Sequence, residues 1–226
     1  MPDFGHSKTD LQIEPLARDT LQQRVYRQVA DLILDGEIAP GELVTIQTLA
    51  DAFAISTMPV REALIRLTAA GALTLVTGRS MGIPRLNAAQ LEDLRNVRME
   101  VEGLAAEWAA LNVDAQKLTQ LESAHDRLAD AVSAGDTKAY LRANRVFHFA
   151  AYQAAGSPTL VALIETLWLR ISPYFNLLHG SGNYAVSNEH HRALLEALRR
   201  NDPKSARNAI YADIDGAYAV LSRVLK

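Results

Sequence analysis

Cysteine is absent from this 226-residue chain. That excludes disulfides and thiolate metal centres, and it fits the cytoplasmic location expected here. Long apolar runs are missing as well. No stretch reaches the roughly 20 residues of a membrane-spanning helix, so no membrane partner is expected, although a hydrophobic content of 49% is ample for packed cores. The first residues, Met1 to Asp10, are polar and lack the apolar core of a signal peptide; they are expected to form a loose arm. Basic residues are not in excess: 23 Lys and Arg stand against 26 Asp and Glu, a net charge of −3. Any anionic partner must be met by a local patch rather than by bulk charge. No His-Glu-x-x-His pair occurs, which removes one common signature of zinc-dependent hydrolysis.

What is present centres on Ser56-Thr57-Met58-Pro59-Val60-Arg61-Glu62-Ala63-Leu64. Ser56 is expected to cap a helix through its hydroxyl, and Pro59 falls in the first turn, where a missing N–H costs little. Val60, Ala63, Leu64 and Leu67 recur at helical spacing and form a buried face. Thr57, Met58, Arg61 and Arg66 point elsewhere. Upstream, Ile46, Leu49, Ala50 and Phe53 mark a shorter helix that Thr45 can cap, and Ala54-Ile55-Ser56 connect the two with Ile55 buried. Helix, three-residue turn, helix is the spacing of a helix-turn-helix, which ordinary helical hairpins share.

The neighbours narrow the choice. An earlier helix runs through Leu21, Val25, Val29, Leu32 and Ile33 to Gly36, and Pro40-Gly41 form a turn. Gly71 ends the key helix. Leu73–Val76 and Met81–Ile83 then read as two short strands with Gly78 in the turn between them. Three helices and a hairpin make a winged helix-turn-helix. From Thr45 to Arg85, four arginines (Arg61, Arg66, Arg79, Arg85) face Asp51 and Glu62, a local balance of 4 − 2 = +2. Double-stranded DNA would then be held by a few placed phosphate contacts and by dimerisation.

Pro84-Arg85-Leu86-Asn87 breaks the pattern, with Asn87 able to cap the next helix. Everything beyond reads as helix. The first stripe is Leu91, Leu94, Val97, Val101, Leu104, Trp108 and Leu111, expected to face a core. Six or seven such helices form a bundle, with sites built from inward side chains. Polar residues on those inward faces are therefore informative. Asn144 and His148 share one side of a helix, His191 leads the stripe of another, and Asp213 lies on the stripe of Ala206, Ile210, Ala217 and Val220. These four could satisfy one another or a metal. His125, Tyr174 and His179 carry no assignment. The fold expected is mainly α. Residues 1–14 are expected to form a flexible arm, 15–84 a winged helix-turn-helix, 85–88 a linker, and 89–226 a helical bundle domain.

Gly36-Glu37-Ile38-Ala39-Pro40-Gly41, Leu49-Ala50, Ser56 to Leu64 and Gly71-Ala72-Leu73 followed by Gly78-Arg79 resemble the GntR family of bacterial transcription regulators. The helical remainder resembles the FCD effector domain of its FadR subgroup. The resemblance implies a homodimeric DNA-binding regulator, expected to be a repressor. A small metabolite, in this family often a carboxylic acid, would control it. It implies DNA contacts at Ser56, Thr57, Met58, Arg61, Arg66, Gln47, Thr77, Gly78 and Arg79. Thr57 and Met58 depart from the family pattern, in which Arg commonly follows the Ser and Thr or Ser commonly precedes the Pro, and this points to a different operator. Gln47 stands where a family Arg often touches DNA; a solvated polar residue is the equal alternative. Arg61 is suited to pairing with guanine, or else pairs with an acidic neighbour. Glu62 is expected to bond within its own domain.

The FCD resemblance carries a metal and effector set onto Asn144, His148, His191 and Asp213, with an amide replacing the family's first acid and an acid replacing its last histidine. One carboxylate and two histidines remain, a set for one divalent ion such as Zn, Ni or Fe(II); a hydrogen-bonded cluster without metal is the alternative. Arg98 matches a family Arg and would clamp a carboxylate, or would simply pair with Glu102. Two readings from other classes stay open: a metal-dependent enzyme built on the four polar residues, which lack an obvious general base, and a helical interaction module without DNA affinity.

Overall fold

The computed structural model describes residues 21–77 and 80–225. The expected arm, and the wing-tip residues Gly78 and Arg79, lie outside the described residues. The first part comprises α1 (Leu21–Leu34), β1 (Leu43–Thr45), α2 (Ile46–Phe53), α3 (Thr57–Ala69), β2 (Thr74–Thr77) and β3 (Ser80–Gly82). Val25, Val29 and Ile33 of α1 pack on Val60, Ala63, Leu64 and Leu67 of α3, as their spacing requires. Thr45 caps α2, its Oγ1 accepting from the Thr48 N–H at 3.0 Å. Ala54 makes the tight turn at φ 54°, a left-handed conformation unusual for a residue with a side chain. Ser56 occupies the cap position of α3, but its side chain makes no capping hydrogen bond, contrary to expectation.

The wing has three strands rather than two. They are antiparallel in the order β1-β3-β2, with Val44 opposite Met81 and Leu75 also opposite Met81. At three residues, β1 is too short for an alternating pattern to register. Gly82 is required where β1 and β3 meet, because a Cβ there would lie 2.9 Å from the Glu42 carbonyl oxygen.

The second part is α4 (Ala88–Asn112), α5 (Ala115–Ala134), α6 (Thr137–Ala154), α7 (Pro158–Ile171), a 3-10 segment (Ser172–Leu178), α8 (Asn183–Arg199) and α9 (Pro203–Val224). Each α-helix start but one is capped by a side chain. Asn87 and Gln90 form a capping box; Asp114, Asp136, Ser157 and Asp202 accept from the backbone three residues on. No helix among the described residues is long and apolar enough to cross a membrane.

α4 lies inside the bundle against α6, α7, α8 and α9, and its stripe is not the one expected. Leu91, Leu94, Arg98, Glu102, Ala105, Ala106 and Ala109 are buried, whereas Val97, Trp108 and Leu111 are exposed. Leu91 and Leu94 are inside as expected; farther along, where α4 is surrounded by neighbouring helices, the small Ala105, Ala106 and Ala109 take the inside and Val97, Trp108 and Leu111 are left outside.

The two parts are joined by more than the linker. Arg145 of α6 pairs with Asp31 of α1 (2.7 Å) and with Asp35 just beyond it (2.9 Å), and Lys138 pairs with Glu37 (2.7 Å). Ser172 Oγ donates to the Ile33 carbonyl (3.2 Å), and Asn176 Nδ2 to that of Gly36 (2.7 Å). Tyr174, unassigned from sequence, is buried; its hydroxyl accepts from the Leu86 N–H at 2.8 Å and donates to the Pro84 carbonyl at 2.5 Å, fastening the linker.

Candidate functional site

Thr57, Met58 and Arg61 lie on the exposed side of α3. Met58 is 61% exposed, and Ile65, one turn beyond Arg61 and not picked out from sequence, is 56% exposed. Arg61 makes no hydrogen bond or ion pair among the described residues, so its guanidinium is available. Ser56 is exposed beside them, and its hydroxyl has no hydrogen-bond partner among the described residues. Arg66 stands on another face, its guanidinium 4.2 Å above the ring of Tyr26 in α1; it is not brought to the Arg61 row. Gln47 donates to Asp51 Oδ1 at 2.7 Å, an ordinary pairing along a helix. Thr77 is exposed at the end of β2. Glu62 has no partner among the described residues, against expectation.

In the bundle, His148 of α6, His191 of α8 and Asp213 of α9 converge from three helices. One ligand atom from each lies within 4.8 Å of the others. His148 Nε2 is 3.0 Å from His191 Nε2 and 3.4 Å from Asp213 Oδ2; His191 Nε2 is 3.6 Å from Asp213 Oδ1. Asn144, one turn before His148, is buried at the same cavity without a hydrogen-bond partner among the described residues.

A second row of buried polar groups backs these. Tyr152 donates to Glu102 Oε2 (2.5 Å), as does Trp168 Nε1 (3.1 Å), and Arg98 Nε donates to Glu102 Oε1 (2.6 Å). Since the Tyr152 proton goes to Glu102, its oxygen accepts from His148 Nδ1, 2.9 Å away. That tautomer leaves the His148 Nε2 lone pair facing His191 and Asp213. Arg98 pairs with Glu102, the plainer of its two sequence readings, and it also lines the cavity. Ser187 donates to Asp213. Tyr152 and Ser187 were overlooked although each stands four residues from a chosen histidine, the spacing that shares a helix face.

Burial pushes the His191 imidazolium down to about 4, against the pull of Asp213, so the ring is neutral near pH 7. Burial also opposes the charge on Asp213, but the two histidines outweigh it and hold the carboxyl well below its ordinary range. Tyr152 is pushed up by burial and by Glu102. Burial works against the Arg98 charge too, yet Glu102 more than offsets it and raises its pKa.

Two imidazoles and one ionised carboxylate form a donor set for a divalent ion such as zinc, nickel or ferrous iron. His148 has the outer partner that orients a metal-bound imidazole, in Tyr152 and Glu102. His191 Nδ1 is buried and without one. The residues fit an ion at these three positions. The cavity beside them, lined by His148 and Asp213 and also walled by Tyr140, Trp168 and Phe175, has about 20 Å³ of free space. That admits a water or an ion, whereas sites for small metabolites run to hundreds of Å³.

The profile of bacterial regulatory proteins of the gntR family matches residues 21–83, and that of the FCD domain matches residues 93–216. The chain belongs to the GntR family. It is 31% identical over 189 residues to the HTH-type transcriptional regulator McbR of Escherichia coli K12, covering 82% of this chain and 86% of that protein. The regulator YdhC of Bacillus subtilis 168 is 26% identical over 205 residues, with coverages of 89% and 91%. The solved structure of E. coli McbR/YncC superposes with a TM-score of 0.84 at 28% identity, over 92% of this chain and 99% of that one. This GntR-family protein is thus a transcriptional regulator with an FCD domain. The enzyme weighed from sequence is set aside, since these relatives are regulators.

Proposed function

We propose that this regulator is a homodimeric repressor that releases its operator when a small carboxylate binds in the bundle. Residues 15–84 read DNA, 85–88 link, and 89–226 bind the effector and dimerise. Thr57, Met58 and Arg61 meet base edges in the major groove, Ser56 and Thr77 meet the backbone, and two protomers address half-sites about one helical turn apart. Repression is supported by a relative, the HTH-type transcriptional repressor NanR of E. coli, 24% identical over 93% of this chain.

One observation carries the effector half. Arg98, Asn144, His148 and Asp213 line a single cavity, and His191 meets the last two behind it. Arg98 spends Nε and Nη2 on Glu102; Nη1 has no partner among the described residues and suits an effector carboxylate. A divalent ion held by His148, His191 and Asp213 would supply a Lewis-acidic anchor for the same group. A metal-free cluster has its own support, because the 3.0 Å His148–His191 separation is that of a direct hydrogen bond. Metal analysis of the purified protein and of a His148→Ala variant separates the two: stoichiometric metal lost in the variant supports the ion, and none in either supports the cluster.

The test of the whole is binding to the DNA upstream of its own gene at two salt concentrations. Specific, salt-sensitive binding that a carboxylate releases supports the reading. Binding unaffected by any of a carboxylate panel counts against effector control, and affinity indifferent to salt counts against operator binding.

A further inference from the structure

The inner cavity does not end at a solid wall. Tyr140, Leu178 and Tyr184 line it, and the same three residues line a second pocket that opens on the surface. The rings of Tyr140 and Tyr184 are stacked, centroids 4.0 Å apart and planes inclined by 21°. This ring pair separates about 20 Å³ of inner space from an outer pocket of about 230 Å³. Val132 and Thr137 line the outer pocket from α5 and α6, and Leu178, His179, Gly180 and Gly182 line it from the segment before α8.

The two rings are not held alike. Tyr140, in the first turn of α6, is buried, whereas Tyr184 is only half-buried. Tyr184 sits in the first turn of α8, behind Gly180 (φ 76°) and Gly182 (φ 79°), where an added Cβ would meet nothing within 4 Å. Neither glycine is packed against a neighbour. Three hydrogen bonds hold the segment shut. Tyr184 Oη donates to the Phe175 carbonyl (3.0 Å), Tyr140 Oη donates to the Tyr184 carbonyl (3.4 Å), and Thr137 Oγ1 meets His179 Nδ1 (2.7 Å).

We propose that Tyr184 swings against a fixed Tyr140 as the gate of the effector cavity, and that the ligand is an elongated carboxylate. Its anionic head passes inward to Arg98, and its slim, largely apolar tail stays in the outer pocket beside Val132 and Leu178. The head-group assignment rests on the effector reading above; the gate does not. Opening also bears on the DNA-binding part. Phe175, whose carbonyl Tyr184 leaves, belongs to the same 3-10 segment as Ser172 and Asn176, which hold α1.

Tryptophan quenching tests the gate without an effector. Trp168 walls the inner cavity and is 1% exposed, whereas Trp108 is 40% exposed on α4. In a Trp108→Phe background, Trp168 reports whether acrylamide reaches the cavity. Tyr184→Ala is expected to raise quenching several-fold over the parent, and Tyr184→Phe, which keeps the ring and loses only its hydroxyl, to raise it less. Ile164→Ala is the control for general loosening: it opens a void one turn from Trp168 and lies in neither pocket. No rise in either Tyr184 variant, or an equal rise in Ile164→Ala, overturns the gate. Should Tyr184→Ala not fold, Tyr184→Phe against Ile164→Ala decides alone. Hexanoate is expected to protect Trp168 in the parent, with acetate weaker and hexylamine inert. A gate that responds to Tyr184 without hexanoate protection removes the carboxylate head alone; equal protection by acetate removes the tail.

Discussion

Burial keeps the His191 ring neutral, and neutrality has a pH signature. Its folded-state pKa of about 4 lies below the ordinary histidine value of 6.5. Between those values the unfolded chain binds more protons than the folded one, so the contribution to stability is complete above pH 6.5 and is lost as pH falls toward 4. Asp213, also depressed, adds a loss at still lower pH. For metal-free protein, denaturant midpoints are expected to drop across this window, by on the order of a few kcal/mol. His191→Leu is expected to flatten the slope there; an unchanged slope refutes the assignment. On the DNA side, Arg61→Ala should weaken specific binding by about 1–3 kcal/mol while changing nonspecific binding little, as read by titration on operator and scrambled DNA. Arg66→Ala should cost less, because its guanidinium already lies on Tyr26. At this scale the sequence was informative about identity and silent about company. Asn144, His148, His191 and Asp213 could be chosen because polar groups on apolar stripes are conspicuous. Glu102, Trp168 and Ser187 became members only once helices distant in sequence met.

At the scale of elements, α6 faces two ways. Asn144 and His148 point to the cavity, while Lys138 and Arg145 hold the acidic end of α1. Arg145 is the critical grip. Asp35 is shielded enough that burial raises its carboxyl pKa despite Arg145 beside it. Arg145→Ala is expected to destabilise the docking of α1 by about 1–3 kcal/mol, since it leaves a shielded carboxylate without its partner. Hydrogen exchange should show α1 amides opening faster while α8 and α9 amides keep their protection; equal acceleration everywhere would show a global effect instead. The start and end of most helices were legible, because Asn87, Asp136, Ser157-Pro158 and Asp202-Pro203 are local signals. The 3-10 segment and β1 were not, since neither is long enough for a period to show.

For the whole molecule, the proposed dimer needs a face to close on, and the exposed side of α4 offers one. Val97, Trp108 and Leu111 fall on one stripe, with Val101 and Leu104 half-buried between them. An apolar stripe left outside a finished bundle is a contact surface in search of a partner. Leu111→Asp is therefore expected to shift the protein toward monomer in sedimentation, and to weaken operator binding steeply because both half-sites must be held together. A variant that remains dimeric places the interface elsewhere.

The sequence by itself determined the helix-turn-helix, the all-helical second domain and the family, because caps, turns and the period of apolar residues are properties of neighbours along the chain. It also narrowed the site to four polar residues. Tertiary structure decided which side of α4 is inside, since only the surrounding helices require the narrow residues there. It decided that Arg98 both pairs with Glu102 and faces the cavity, and that the two parts of the chain are clamped through α1. Packing brings together groups up to 140 residues apart, such as Gly36 and Asn176, and no local pattern encodes a contact of that range.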